Sequence, residues 1–198
     1  MSGAMALELL LEEAGLPYER VAVDMASGEH KTPEYLALNP TGQVPALALP
    51  SGEVIGESAA IILTIGERHP DQDLVPKFGD PNRPRFLRWL IYMAASPYMT
   101  YVQFNHPERF IGDEAAQVAL IENARTRLLG QFDVLDAAIT NAPYFLSDSP
   151  SALDFYLYML IEFFGDVDAV LDGRDRLEQL YSVVSKRDSV RRIRPSHG

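Results

Sequence analysis

Cysteine is absent from the 198 residues. That excludes a thiol nucleophile on the chain, a CxxC redox pair, a thiolate zinc site and any disulfide. Long apolar runs are also missing: the longest, 59–65 and 156–164, fall well short of the ~20 residues that cross a bilayer. No basic start followed by an apolar stretch points to export, so a cytoplasmic protein without a membrane partner is expected. Positive charge is scarce, with 17 basic against 28 acidic side chains and a formal net charge of -11. Residues 1–80 hold 13 acidic and 4 basic side chains and residues 81–198 hold 15 and 13. Neither half offers the basic surface that a phosphate backbone requires, and no nucleic-acid partner is expected. There is no Gly-rich phosphate loop, no Ser-His-Asp pattern and no HExxH. His30, His69 and His197 lack metal-ligand spacing, so they read as surface residues and no metal site is expected. What is present is enough apolar material, 47% of the chain, for one large or two small cores.

The first eighty residues alternate helical and extended signals. Residues 4–14 place Leu7, Leu10, Leu11 and Ala14 on one helical face with Glu8, Glu12 and Glu13 opposite, and Gly15 with Pro17 supplies a stop. Residues 18–25 alternate as a strand does. Residues 32–38 read as a short helix with Thr32 as cap and Pro33 in its first turn. Asn39-Pro40-Thr41-Gly42 is turn chemistry, and two short strands, 44–49 and 53–55, form a hairpin across Pro50-Ser51-Gly52. A buried helix, 57–68, closes the region.

Residues 69–84 carry Pro70, Pro76, Pro81 and Pro84 without periodicity, as a linker does. Everything beyond is helical: 83–103 with a kink near Pro97, 113–140, 153–164, 174–185 and a basic tail. The tail cations Lys186, Arg187, Arg191, Arg192 and Arg194 read as the solvated end of a last helix, suited to its dipole. The domains are accordingly 1–69, a linker at 70–82, and 83–198.

Function enters at residues 39–61. The run Asn39-Pro40-Thr41-Gly42-Gln43-Val44-Pro45-Ala46-Leu47, then Gly52, then Gly56-Glu57-Ser58-Ala59-Ala60-Ile61, resembles the glutathione-site signature of the cytosolic glutathione transferases, of bacterial type. The opening Leu7–Glu19 helix and strand, and the Ser151-Ala152-Leu153-Asp154 capping pattern, resemble the same family. The resemblance implies a thioredoxin-like α/β N-terminal domain followed by an all-α C-terminal domain. It also implies a cis Pro45, a Val44 backbone that meets the cysteinyl part of glutathione, and a Glu57-Ser58 pair that holds the γ-glutamyl end. A helix start with a hydroxyl and exposed N–H groups suits a carboxylate in any case. Taken singly, Val44-Pro45 is an ordinary dipeptide and Glu57-Ser58 an ordinary helix start.

Family members open with a strand and a loop that brings a Tyr, Ser or Cys to the glutathione sulfur. This chain opens at the loop, so either its start is internal to a longer protein or a substitute strand fills the gap; Ser2 falls about where the catalytic hydroxyl would sit, against the plainer reading of a loose chain end. The helix from Ala4 offers its dipole to a thiolate even without Ser2. Tyr98, Tyr101 and His106 are the candidates to line an electrophile pocket between the domains, against the plainer reading of aromatic packing and a surface histidine. The expected activity is conjugation of glutathione, as co-substrate, to a hydrophobic electrophile, or a related glutathione-dependent step, in a homodimer. The alternatives are a non-catalytic binding or regulatory module of the same fold, and a carrier of hydrophobic ligands.

Overall fold

A computed structural model describes residues 3–197. Ten α-helices and one two-stranded hairpin are found among them: α1 (Ala4–Glu13), α2 (Pro33–Leu38), β1 (Leu47–Ala48), β2 (Val54–Ile55), α3 (Ser58–Arg68), α4 (Arg83–Ala95), α5 (Pro97–Asn105), α6 (Glu114–Ala138), α7 (Ala152–Phe163), α8 (Val167–Leu171), α9 (Asp175–Val184) and α10 (Asp188–Ile193). The order matches an α/β domain followed by an all-helical one.

Local chemistry explains most boundaries. Thr32 Oγ1 accepts from the Tyr35 N–H at 3.3 Å and Pro33 occupies the first turn of α2. Asp113 caps α6 by accepting from the Ala116 N–H at 2.8 Å. At the head of α7, Asp154 reaches back to the Ser151 N–H at 2.7 Å and also takes the Phe145 N–H at 2.8 Å. Those donors are buried, so the carboxylate replaces the water they would otherwise lack. α7 then runs through the centre of the molecule, with every residue from Ala152 to Glu162 buried.

α1 is the second central element. Met5, Leu9 and Leu10 are at most 1% exposed, and the helix packs on α3, α7 and α10. α3 buries Ala59, Ile61, Ile62 and Ile65, as its apolar run predicts. It also carries Gly66, where a Cβ would stand 2.3 Å from Cβ of Val75, so only glycine admits that contact.

Several expectations are corrected. Residues 18–25 form no strand; they run irregularly, and Val21 is 76% exposed. A strand needs a neighbour for its N–H and C=O groups, and the only strands among the described residues are β1 and β2, which pair antiparallel with Leu47 opposite Ile55. The extended stretch 44–49 shrinks to β1. The helix expected over 83–103 is two helices, separated at Ser96 before Pro97, whose missing N–H ends the first.

The arginines of the basic tail are ion-paired while Arg191, Arg192 and Arg194 stay exposed to solvent. Arg187 Nε bonds Glu13 at 3.0 Å, Arg192 Nε bonds Glu12 at 2.8 Å and Arg194 Nε bonds Glu162 at 3.0 Å. His197 is not at the surface: at 9% exposed it lies 3.0 Å from Glu8, itself buried although its face of α1 reads as polar. Burial of a carboxylate is tolerated there because Arg20 Nε also stands 3.5 Å away.

Candidate active site

The turn after α2 is pinned by side chains from both ends. Asn39, buried, donates its amide to the Gln43 carbonyl at 2.8 Å and accepts from the Thr41 hydroxyl at 2.8 Å. Tyr35 donates its hydroxyl to the same Gln43 carbonyl at 2.6 Å. Gly42 takes φ +59°, and a Cβ there would meet Lys31 Nζ at 2.8 Å and the His30 carbonyl at 3.0 Å. Glycine is thus required both by conformation and by space. The turn delivers Val44 and Pro45, joined by a cis peptide bond. Among the described residues, the N–H and C=O of Val44 have no hydrogen-bond partner.

The second element is the head of α3. Glu57, before the helix, adopts φ +61° and ψ 107°, a conformation that costs a side-chain-bearing residue about 1–3 kcal/mol. No side chain caps the first N–H groups of α3. Ser58 begins the helix with its Oγ 2.9 Å from the hydroxyl of Tyr156 on α7, and burial holds that phenol well above its ordinary range. The helical domain therefore touches the α/β domain at the serine that the signature singles out.

Tyr98, Tyr101 and His106 come together around one cavity of about 310 Å³, with Val102, Asn105 and Phe163 completing its wall. Tyr101 donates its hydroxyl to the Leu160 carbonyl at 2.6 Å, and its ring meets Phe163 edge-on at 6.0 Å between centroids. Tyr98 faces the same Phe163 and accepts a hydrogen bond from the Gly3 N–H at 3.3 Å. His106 is at the exposed rim, 3.4 Å from Glu108. The Tyr98 oxygen is linked to Gly3, the residue before α1, but all six residues that line the cavity lie in the helical part of the chain, so it does not open between the domains as expected. Ser2 lies outside the described residues.

Two neighbours of this site escaped the sequence reading. Lys31 donates its Nζ to the Gly42 carbonyl at 3.1 Å, which sets a cation beside the 42–45 stretch. Its signal was scarcity, since Arg20 and Lys31 are the only basic residues before Arg68. Tyr156 left no such signal, because its partner Ser58 is 98 residues away. No group of three or more potential metal ligands is found among the described residues.

Residues 4–68 match the family model described as the glutathione S-transferase N-terminal domain. The chain is 31% identical over 199 residues to the uncharacterized GST-like protein YncG of Escherichia coli K12, with 95% of each chain covered. Glutathione S-transferase F9 of Arabidopsis thaliana is 33% identical over 158 residues, covering 75% of this chain and 70% of its own. Among solved structures, a sphingomonad glutathione S-transferase complexed with glutathione superposes with TM-score 0.82 at 26% identity, over 100% of this chain and 95% of that one. The beta-class enzyme of Sphingomonas chungbukensis gives 0.83 at 26%, over 99% and 94%. A chain this similar over nearly its whole length, with the cis Val44-Pro45 and the Ser58 helix start in place, belongs to the glutathione S-transferase family.

Proposed function

We propose that the protein binds glutathione against Val44, Pro45, Glu57 and Ser58 and transfers its thiolate to a hydrophobic electrophile held in the Tyr98, Tyr101 and His106 cavity. The observation that carries this reading is the pairing of an unpartnered Val44 backbone with the uncapped head of α3. An extended peptide needs donors and acceptors along its backbone, and its γ-glutamyl carboxylate needs N–H groups; these two elements offer both. Lys31 supplies a countercharge for the glycyl carboxylate. The sphingomonad relative, solved with glutathione, supports the same ligand here.

The chemistry follows from the thiol. Free, it has a pKa of about 8.5, so donors and a helix N-terminus near the sulfur raise the thiolate fraction at neutral pH. α1 presents such an end beside Pro45, whose Cδ would lie 3.3 Å from a Cβ on Gly3. The thiolate attacks the electrophilic carbon, a carbon–sulfur bond forms, and the leaving group departs with its electron pair. A cytoplasmic homodimer is the assembly that the family resemblance implies.

Calorimetric titration with glutathione tests the reading. Binding in the micromolar to low-millimolar range is expected, weakened by about 1 kcal/mol, roughly fivefold, in Ser58→Ala. Absence of binding, or binding indifferent to Ser58, would sink it and favour a module that holds another partner.

A further inference from the structure

The peptide unit that joins Gln43 to Val44 is held on one edge and open on the other. Its carbonyl accepts two side-chain donors, the Asn39 amide at 2.8 Å and the Tyr35 hydroxyl at 2.6 Å. Its N–H, that of Val44, has no partner among the described residues. The bond is trans, since the cis peptides lie at Val44-Pro45 and Ala142-Pro143. In a trans unit the C=O and the N–H point in opposite directions within one rigid plane, so whatever fixes the carbonyl also aims the N–H. Two donors at separate positions hold that plane more tightly than one can, and each bond to the carbonyl polarises the amide and strengthens its N–H as a donor. Asn39 is held in turn. It is buried, it accepts from the Thr41 hydroxyl at 2.8 Å, and a Cβ on Gly56 would come within 3.5 Å of its Nδ2. Gly56 leads into Glu57 and Ser58, so one buried amide lies between the two elements of the candidate site. We propose that Tyr35 and Asn39 are positioning residues for glutathione: by gripping the Gln43 carbonyl together they aim and strengthen the Val44 N–H that meets the cysteinyl carbonyl of the ligand.

This assignment rests on the glutathione reading above, in which the Val44 backbone meets the cysteinyl part of the ligand. Neither side chain has to touch glutathione; both act through the 43–44 peptide plane. Burial raises the Tyr35 phenol above its ordinary pKa while the Asn39 side chain pulls the other way, so the hydroxyl keeps the hydrogen it donates. A residue that only stabilised the turn would make the same contacts, yet its loss would be felt equally by any ligand seated there. A residue that aims the Val44 N–H matters only to a ligand that carries an acceptor for it.

The test therefore changes the protein and the ligand together. Tyr35→Phe keeps the ring and removes one donor. The second ligand is a glutathione analogue whose cysteinyl–glycyl peptide bond is replaced by a trans alkene, similar in shape but without the carbonyl. By calorimetry, Tyr35→Phe is expected to bind glutathione about fivefold more weakly and the alkene analogue within about twofold of wild type. Its kcat toward an activated aryl halide at saturating glutathione should be unchanged, with the loss confined to KM for glutathione. Asn39→Asp, which still accepts from Thr41 but cannot donate, should show the same difference between the two ligands. Unaltered glutathione affinity in Tyr35→Phe, or equal losses for both ligands, overturns the assignment and leaves the glutathione reading intact. Failure of wild type to bind glutathione overturns both.

Discussion

At the scale of single residues, the site depends on hydroxyl groups that meet across the two halves of the chain. Ser58 Oγ and the Tyr156 hydroxyl are 2.9 Å apart, and whichever donates, Tyr156 fixes the orientation in which Ser58 meets a ligand. Tyr156→Phe should therefore weaken glutathione by about 0.5–1.5 kcal/mol, the net worth of one hydrogen bond. In a double-mutant cycle with Ser58→Ala the two losses should not add, because the second change removes a group already misdirected. Calorimetric affinities of the four proteins decide it: additive losses would mean that Tyr156 acts through packing alone. Neither this pair nor the link between Tyr98 and Gly3 was legible in the sequence. Both join positions about 95 residues apart, and no local period or spacing encodes such a meeting. The turn Asn39–Gly42, Pro45 and the Glu57-Ser58 step were legible because each is specified within a few neighbours.

At the scale of elements, helices read well wherever caps and periodicity act locally, and the N-terminal extended segments read poorly. Residues 18–25 alternate, but a strand exists only by virtue of its neighbour. The partners of the tail arginines were illegible for a related reason, since three of them find carboxylates on α1 and α7 that lie more than thirty positions away.

The capping pattern 151–154 was read correctly, and it makes a quantitative prediction. Burial pushes the Asp154 carboxyl up to about 6, against the Ser151 and Phe145 donors that favour its charged form. Its folded pKa thus exceeds the unfolded value of 3.8. The native state then binds more protons across that interval, and this group's contribution to stability falls as pH rises from about 4 to about 6. Asp154→Asn should abolish that slope while lowering stability by about 1–3 kcal/mol at pH 7, since an amide cannot accept from all the donors at the head of α7. Urea unfolding at several pH values measures both quantities, and an unaltered slope in the variant would contradict the assignment.

At the scale of the whole molecule, charge is the most visible property and one half-buried pair matters more than the net figure of -11. Burial raises the Glu13 carboxyl, but hydrogen bonds from Arg187 and Ser189 and the charge of Arg187 and Arg192 outweigh it and hold the group below its ordinary 4.5. A lowered carboxylate contributes stability that is present above pH 4.5 and lost as pH falls through the folded value, opposite in sign to Asp154. Glu13→Gln should cost about 2 kcal/mol at pH 7, leaving Arg187 without its countercharge, and should flatten the loss of stability below pH 4.5. Thermal melts from pH 3 to 7 would show this, and a parallel loss in both proteins would refute it.

Glu13 also ends α1, and Gly3, the residue before that helix, is bonded to Tyr98. That helix belongs to the N-terminal part of the sequence, yet it packs on α7 and α10 as well as on α3, and its Glu13 is bonded to Arg187 and Ser189. The boundary that the sequence suggests near residue 70 is therefore not expected to be a boundary of cooperativity. A fragment ending at residue 69 would expose the apolar flank of α1 to water and strand its Glu13, and the remainder would lose the wall on which α7 and α10 rest. The polypeptide should accordingly melt in a single calorimetric transition, and two separate transitions would contradict this.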